Sequence, residues 1–213
     1  MAEPVKAKRR YDSSRRRAQA AATRADILDA AQRLFEDRGY ASTTMDAIAA
    51  EAGVALKTVY VAFETKSGLL RALWNHLLRG GRDELPVAQQ DWYREVVDEP
   101  DPDRKVELTA RASRAVNERI GGVLEVIRSA APVDADIAAL WERIQSEFHA
   151  NQRVIVESLG SALRPGLDVD RAADILWTLN HPNVWQLLVD ERGWTAAQWQ
   201  EWFTAAARSQ LLR

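Results

Sequence analysis

Apolar residues recur with a helical period in the first part of the chain. They fall at i, i+1, i+4, i+7 and i+8, the spacing that places them on one helix face. These residues are Ile27, Leu28, Ala31, Leu34 and Phe35. The stripe ends at Arg38-Gly39, a cation followed by a glycine that suits a helix C-terminus. The pattern predicts a first helix that begins as early as Ser14 and ends at Gly39.

Glycine and proline residues divide the rest of the chain into segments of helical length. Between these breaks the apolar period stays helical, and no segment sustains a period of two. Further helices are predicted at about 44–52, 55–62, 66–79, 88–98, 103–119, 121–130, 134–162, 168–190 and 195–212. A flexible connection or a plain surface loop is expected between Glu84 and Arg104. The chain is therefore predicted to be all-α.

The second and third predicted helices are joined by a short turn that only small residues fit. Thr43 can cap the second helix, with Asp46 three residues later as in a capping box. Ala49 lies where the two helices would cross, and Gly53 can adopt the positive φ that the turn needs. Val59 follows six residues after the glycine and faces inward. These spacings are typical of a helix-turn-helix, with an ordinary helical hairpin as the alternative.

Charge is distributed unevenly along the chain, although the net charge is only −2. Residues 1–82 contain 15 Lys and Arg residues against 9 Asp and Glu residues, whereas residues 83–213 contain 14 against 22. The basic end includes an N-terminal arm, residues 1–22, whose cations are Lys6, Lys8, Arg9, Arg10, Arg15, Arg16 and Arg17. Such an arm favours binding to a polyanion, with a merely solvated tail as the alternative.

Composition removes several classes of function. The chain has no cysteine, so it can form no disulfide and offers no thiolate metal site or cysteine nucleophile. Motifs of zinc proteases, serine hydrolases, di-iron bundles and phosphate-binding loops are missing, so no enzyme activity, metal site or cofactor is predicted. No stretch of about 18 apolar residues occurs. We therefore expect a cytoplasmic protein that does not enter the membrane.

From Thr23 to Leu70 the chain resembles the DNA-binding domain of the tetracycline-repressor (TetR) family of bacterial regulators. The positions that carry the resemblance are Ile27-Leu28, Ala30-Ala31, Leu34-Phe35, Gly39-Tyr40, Thr43-Thr44, Ile48-Ala49, Ala52-Gly53-Val54, Thr58, Tyr60, Phe63, Lys66 and Leu69-Leu70. The resemblance implies a three-helix helix-turn-helix domain at residues 23–66 and a larger helical domain for effector binding and dimerisation at 67–213. It further implies a homodimeric repressor that a small hydrophobic effector releases from a palindromic double-stranded DNA operator.

The resemblance also implies which residues meet DNA. The third helix would enter the major groove, and the residues that match phosphate-holding positions are Thr43, Thr44, Thr58, Tyr60 and Lys66. Lys57 and Leu56 are candidates for reading guanine and a thymine methyl group, with a phosphate contact and core packing as their alternatives. Ala55 and Ala62 stand where family members often have Ser and His. Arm residues that would compensate by reaching phosphates or the minor groove are Arg9, Arg10, Arg15, Arg16 and Arg17.

The C-terminal helices carry the predicted effector and dimer sites. The family's pocket implies a ligand site at Trp74, Leu77, Trp92, Asn117, Phe148, Gln152, Trp177 and His181. Satisfied core hydrogen bonds are the alternative for the polar members of this set. The apolar stripe of the last helix needs a partner surface. The family's dimeric bundle implies an interface at Trp185, Trp199, Trp202, Phe203 and Ala206, with packing on the protein's own body as the alternative.

Two other functions stay open at this point. One is an architectural DNA-binding protein without an effector, and the other is a helical small-molecule-binding protein whose basic end has no role. Salt-dependent preference for one palindrome over bulk DNA would favour the regulator over the architectural protein. Absence of DNA affinity at low salt would leave only the ligand-binding protein.

Overall fold

The computed structural model describes residues 9–80 and 86–213, so Lys6 and Lys8 of the predicted arm lie outside the described residues. Within these ranges the chain forms ten α-helices, and its only β pairing is an isolated bridge between Leu163 and Leu212. The helices are α1 (Arg9–Ser42), α2 (Met45–Glu51), α3 (Leu56–Phe63), α4 (Lys66–Leu78), α5 (Asp91–Asp98), α6 (Pro102–Ala130), α7 (Ala135–Glu157), α8 (Val169–Leu179), α9 (Pro182–Trp185) and α10 (Ala196–Leu211). The all-α prediction is confirmed. None of the described helices is long and apolar enough to cross a membrane.

The chain divides into two units between Leu73 and Trp74, inside α4. In the first unit, α1, α2 and α3 pack around side chains that are fully buried, namely Ile27, Phe35, Ile48 and Val59. Gly39 and Gly53, which the sequence predicts at turns, have φ angles of 74° and 65°. A residue with a Cβ atom is strained at these angles, so Gly39 allows a kink near the end of α1 and Gly53 allows the turn that follows α2.

The residue that caps α2 differs from the prediction by one position. The N-cap is Thr44, whose Oγ1 accepts a hydrogen bond from the Ala47 amide at 3.1 Å. Thr43 is fully buried, and its Oγ1 donates to the carbonyl oxygens of Leu34 at 3.0 Å and Gly39 at 2.8 Å. The Thr43 hydroxyl thus links the start of α2 to the last turns of α1.

The second unit contains the end of α4 and helices α5–α10. Its main core is formed by buried apolar side chains that include Tyr93, Val106, Ile155, Leu176, Trp199, Phe203 and Leu211. Lys105 is also buried there, and its Nζ donates to the carbonyl oxygen of Val97 at 2.8 Å and to that of Ser158 at 3.0 Å. Burial lowers the pKa of Lys105. This ammonium group joins the end of α5 to the end of α7.

Two predicted helix boundaries are wrong. The break expected near Gly121 is missing, because α6 continues through it and buries Ile120, Leu124 and Ile127 on one stripe. The helix predicted at 168–190 instead ends at Leu179, and α9 begins at Pro182. Proline has no amide hydrogen to donate within a helix, so it is favoured at the first helical position. A π-helix at Gln186–Glu191 follows α9.

Candidate functional site

The outer face of α3 is the first candidate site. Val59 and Phe63 point inward and are buried, whereas Leu56, Lys57 and Tyr60 are exposed. Leu56 is 36% exposed, so about a third of its surface stays accessible to a partner. The helix therefore presents one ammonium group, one phenol and an aliphatic side chain on the same surface.

The N-terminal ends of α2 and α3 offer further groups that can bind phosphate. Thr44 is exposed while it caps α2, and Ala55 occupies the N-cap of α3 without a side-chain hydrogen bond. Thr58 is half-buried in the first turn of α3. Arg15, Arg16 and Arg17 are exposed on α1. Helix starts with open amide groups and nearby cations suit the binding of phosphate groups.

Two residues that the resemblance places on phosphates are instead engaged inside the first unit. The Thr43 hydroxyl is buried as described above. The Lys66 Nζ donates to the carbonyl oxygens of Tyr40 at 2.8 Å and Thr43 at 3.1 Å, and it lies 4.1 Å from the centroid of the Tyr40 ring. These contacts hold the start of α4 against the junction of α1 and α2. In the structure, both side chains therefore make hydrogen bonds within the first unit, and their predicted phosphate contacts stay a prediction.

Arg24 has a role that the sequence analysis did not find. Its Nη1 donates to the carbonyl oxygen of Ala62 at 3.0 Å, and its guanidinium lies 4.3 Å from the centroid of the Phe63 ring. Arg24 therefore fixes the C-terminal end of α3 on α1. A long-range contact of this kind leaves no periodic signal in the sequence.

The second candidate site is a cavity in the second unit, with a volume of about 100 Å³. Five of the predicted ligand residues line it, namely Trp74, Trp92, Asn117, Phe148 and Gln152. Leu77, Trp177 and His181 do not line it, which corrects those three predictions. Leu78 takes the place predicted for Leu77, because Trp74 and Leu78 lie one turn apart on the same face of α4.

His181 is engaged beside the cavity rather than exposed to it. Its Nδ1 accepts a hydrogen bond from the Asn183 amide at 3.2 Å, so its side chain caps α9. Its Nε2 lies 3.0 Å from Oε1 of Gln145, a cavity residue. The Trp177 ring packs on it with a centroid distance of 4.8 Å. Burial lowers the pKa of His181, which favours the neutral imidazole that this capping bond requires.

Several of the polar side chains that line the cavity are buried. Asn180 Nδ2 donates to Gln152 Oε1 at 3.2 Å, and the Tyr93 hydroxyl donates to the Asn151 carbonyl oxygen at 2.7 Å. Burial raises the pKa of Tyr93 to about 12, so the phenol stays neutral. Asn117 is 4% exposed, and its Nδ2 has no hydrogen-bond partner among the described residues. The cavity thus contains an amide donor that the protein leaves unsatisfied.

Sequence reasoning missed several cavity residues. Tyr93, Thr109 and Asn180 line the cavity, although only Asn180 stands out in sequence as a polar residue in an apolar context. Glu147 is the one carboxylate among the lining residues, and its side chain is 67% exposed. The enclosed part of the cavity is therefore uncharged.

The predicted dimer residues lie mostly inside a single chain. Trp199 and Phe203 are fully buried and Trp185 is 5% exposed, which corrects the prediction that these three form an interface. Their rings pack together, with centroid distances of 5.1 Å for Trp185 to Trp199 and 5.2 Å for Trp199 to Phe203. Trp202 and Ala206 are half-buried and keep exposed surface.

Comparisons with known proteins match the first unit to one protein family. The family described as "Bacterial regulatory proteins, tetR family" matches residues 27–73. The chain is 32% identical to the HTH-type transcriptional regulator TtgR of Pseudomonas putida, over 75% of this chain and 77% of that protein.

Solved structures share the fold over nearly the whole chain. NalD, the secondary repressor of the MexAB-OprM multidrug efflux pump in Pseudomonas aeruginosa, has a TM-score of 0.72 at 24% identity, over 91% of this chain and 98% of that chain. A SmeT-triclosan complex has a TM-score of 0.69 at 19% identity, over 90% of this chain and 92% of that chain.

Proposed function

Since this chain belongs to the TetR family of bacterial regulatory proteins and is a DNA-binding transcriptional regulator, we propose that it represses transcription from a palindromic operator and leaves it when a small ligand binds. The exposed face of α3 carries the DNA-binding part of this proposal. The cavity with its unsatisfied Asn117 amide carries the ligand-binding part. A regulator of this kind acts on the genome in the cytoplasm.

On the DNA side, α3 enters the major groove. Lys57 donates to a guanine edge, and Tyr60 together with Thr44, Thr58 and the amide groups near Ala55 positions the helix on phosphates. The exposed arginines Arg15, Arg16 and Arg17 add contacts that do not depend on sequence. Thr43 and Lys66 act indirectly, since their side chains hold α2 and α4 in place.

The regulator binds its operator as a symmetric homodimer. Two copies of α3 related by a two-fold axis match two half-sites about 34–36 Å apart, or a larger spacing in a longer operator. Trp202 and Ala206 on α10 are the predicted interface residues that retain exposed surface. A partner would cover this part of α10 while Trp199 and Phe203 stay in the core of each chain.

The effector is an uncharged, mainly apolar molecule with a hydrogen-bond acceptor. The cavity walls include the Trp74, Trp92 and Phe148 rings, and an acceptor atom would pair with the Asn117 amide. A volume of about 100 Å³ is below the range of about 300–1,000 Å³ common for drug-sized ligands. Ligands larger than a single ring therefore require the cavity walls to move.

Helix α4 provides a covalent link between the two functions. It begins in the first unit with Lys66, whose side chain donates a hydrogen bond to the Tyr40 carbonyl oxygen. Its last turn lies in the second unit, where Trp74 and Leu78 line the cavity. A ligand that displaces Trp74 can therefore change the position of the helix that holds α1 and α2. This supports release of the operator on ligand binding.

Selection of DNA from a random pool with the full-length protein tests the DNA-binding part. We expect enrichment of one inverted repeat, bound with an affinity that falls steeply with salt. Tyr60→Ala should weaken binding to all sequences, whereas Lys57→Ala should relax preference at one base pair by about 1–3 kcal/mol. Enrichment of bent or AT-rich DNA without a repeat would instead favour an architectural protein. A pool with no bound DNA at low salt would contradict the proposal.

Triclosan, the molecule in the SmeT complex, is a suitable first probe for the ligand-binding part. If it binds, titration should change the fluorescence of the cavity tryptophans and weaken operator binding. A wider compound screen follows the same design. Compounds that bind in the cavity and never change operator affinity would contradict release by a ligand.

A further inference from the structure

The apolar surface of α3 is larger than packing requires. Val61 is 76% exposed, Tyr60 is 48% exposed and Leu56 is 36% exposed. In the described part of the first unit, these three are the only large hydrophobic side chains that are exposed. They surround Lys57 on one face of a single helix. An exposed apolar surface on the helix that we place in the DNA groove indicates that these side chains contact apolar groups of a partner.

The other groups of α3 cannot read most base edges. Its sequence, LKTVYVAF, contains no Asn or Gln to pair bidentately with adenine and no Asp or Glu to accept a hydrogen bond from cytosine. Two cations close to the end of the helix are engaged, Arg24 at the Ala62 carbonyl and Lys66 at the Tyr40 carbonyl. Because Thr58 is half-buried, direct readout from α3 depends mainly on Lys57 and on apolar contact.

In the major groove, the feature that rewards apolar contact is the thymine C5-methyl group. We propose that Val61 and Leu56 select thymine in each operator half-site by packing against its methyl group, on either side of the base pair that Lys57 reads. The inference rests on the proposed DNA-binding function. The positive charge of Lys57 and of the exposed Arg15, Arg16 and Arg17 fits duplex DNA as the occupant of this face.

Helix geometry limits where this thymine lies. Lys57 and Val61 are four residues apart on one face, about 6 Å along the helix axis. Base pairs are stacked about 3.4 Å apart along each strand. The thymine read by Val61 therefore lies within about two base-pair steps of the guanine read by Lys57.

Substitution of deoxyuridine for thymine tests the proposal, because it removes the methyl group and keeps the hydrogen-bonding edge. Each thymine of the selected operator is replaced in both half-sites, and affinity is measured by fluorescence anisotropy with the full-length protein. For wild type we expect a loss of about fourfold per half-site at the positions contacted, the factor for one buried methyl group. Val61→Ala should bind the thymine operator more weakly and lose the response at one of these positions.

Val133 provides a matched control. It is 77% exposed but lies in the second unit, between α6 and α7, so Val133→Ala should change neither affinity nor the response to deoxyuridine. The thermal melting of Val61→Ala should match that of wild type, since the side chain contributes little to the core.

Several outcomes would overturn the inference. A palindrome that tolerates deoxyuridine at every position would refute thymine-methyl reading while leaving the proposed function intact. A response that persists in both Val61→Ala and Leu56→Ala would assign the methyl contact to another group. A pool that yields no selected sequence would instead contradict the proposed function itself.

Discussion

Replacing Asn117 by leucine should make the second unit more stable and weaken its ligand binding. Asn117 is 4% exposed, and its amide nitrogen is buried without a partner among the described residues. A buried donor left unpaired costs about 1–3 kcal/mol. Leucine removes that donor, adds a few tenths of a kcal/mol in helix propensity, and keeps the same number and branching of side-chain heavy atoms, so it fits the space that Asn117 occupies beside the cavity. We expect a net gain of about 1–2 kcal/mol in the free energy of unfolding.

Tryptophan fluorescence is the appropriate assay, because all eight tryptophans lie at or after Trp74 and so report on the second unit alone. A gain of 1 kcal/mol raises the melting temperature of a domain of 150–250 residues by about 2–4 °C, so we expect a rise of about 2–8 °C. Wild type and variant are compared at one protein concentration, since a dimer's stability depends on concentration.

Gln152→Leu is the matched control at the same cavity. Gln152 accepts a hydrogen bond from the buried Asn180 amide, so its loss leaves that donor unpaired and should lower stability by about 1–3 kcal/mol. The two substitutions are both polar to leucine, yet opposite signs are expected. A loss of stability in Asn117→Leu, or the same sign for both variants, would refute the assignment of Asn117 as an unsatisfied donor.

Three further predictions address other parts of the molecule. Lys66→Met should lower the stability of the first unit by about 1–3 kcal/mol, because the carbonyl groups of Tyr40 and Thr43 lose the ammonium donor that they share. Urea unfolding followed by circular dichroism measures the loss of stability, and Lys57→Met at an exposed position is the control. Since burial lowers the pKa of His181, the unfolded chain binds its proton more readily, so stability should fall as pH drops below about 6.5. His181→Asn, which keeps a capping group, should flatten that fall in fluorescence-monitored melts; an unchanged pH profile would exclude His181 as its cause. Ala206→Glu together with Trp202→Glu should give folded monomers in sedimentation experiments, and a persistent dimer would place the interface elsewhere.

The helical pattern predicts the first unit well because its signals are local. The stripe that includes Ile27 and Phe35 is buried, and Gly53 has the positive φ that its position in the turn requires. The contacts of Lys66 and Arg24 could not be predicted, because they join residues 26 and 38 positions apart to backbone carbonyl groups. Backbone acceptors carry no residue-type signal.

The second unit shows what periodicity cannot decide. The pattern of α10 correctly indicates that Trp199 and Phe203 are buried, but it does not say whether the chain itself or a second copy covers them. In α4, the family resemblance predicts Trp74 as a ligand residue, which lines the cavity, and also Leu77, whose place is taken by the next residue, Leu78. Which face of a helix meets a cavity depends on tertiary packing.

Regulation by this protein requires that occupation of the cavity and binding of the operator be coupled. This coupling is measured by an anisotropy titration of the selected operator, with and without a saturating ligand found by tryptophan fluorescence. Coupling between sites is commonly about 1–3 kcal/mol, so the ligand should weaken operator binding by about 5–150-fold, and the operator should weaken ligand binding by the same factor. Asn117→Leu should require more ligand for the same effect. A ligand whose binding depends on Asn117, but which leaves operator affinity unchanged, would contradict the coupling.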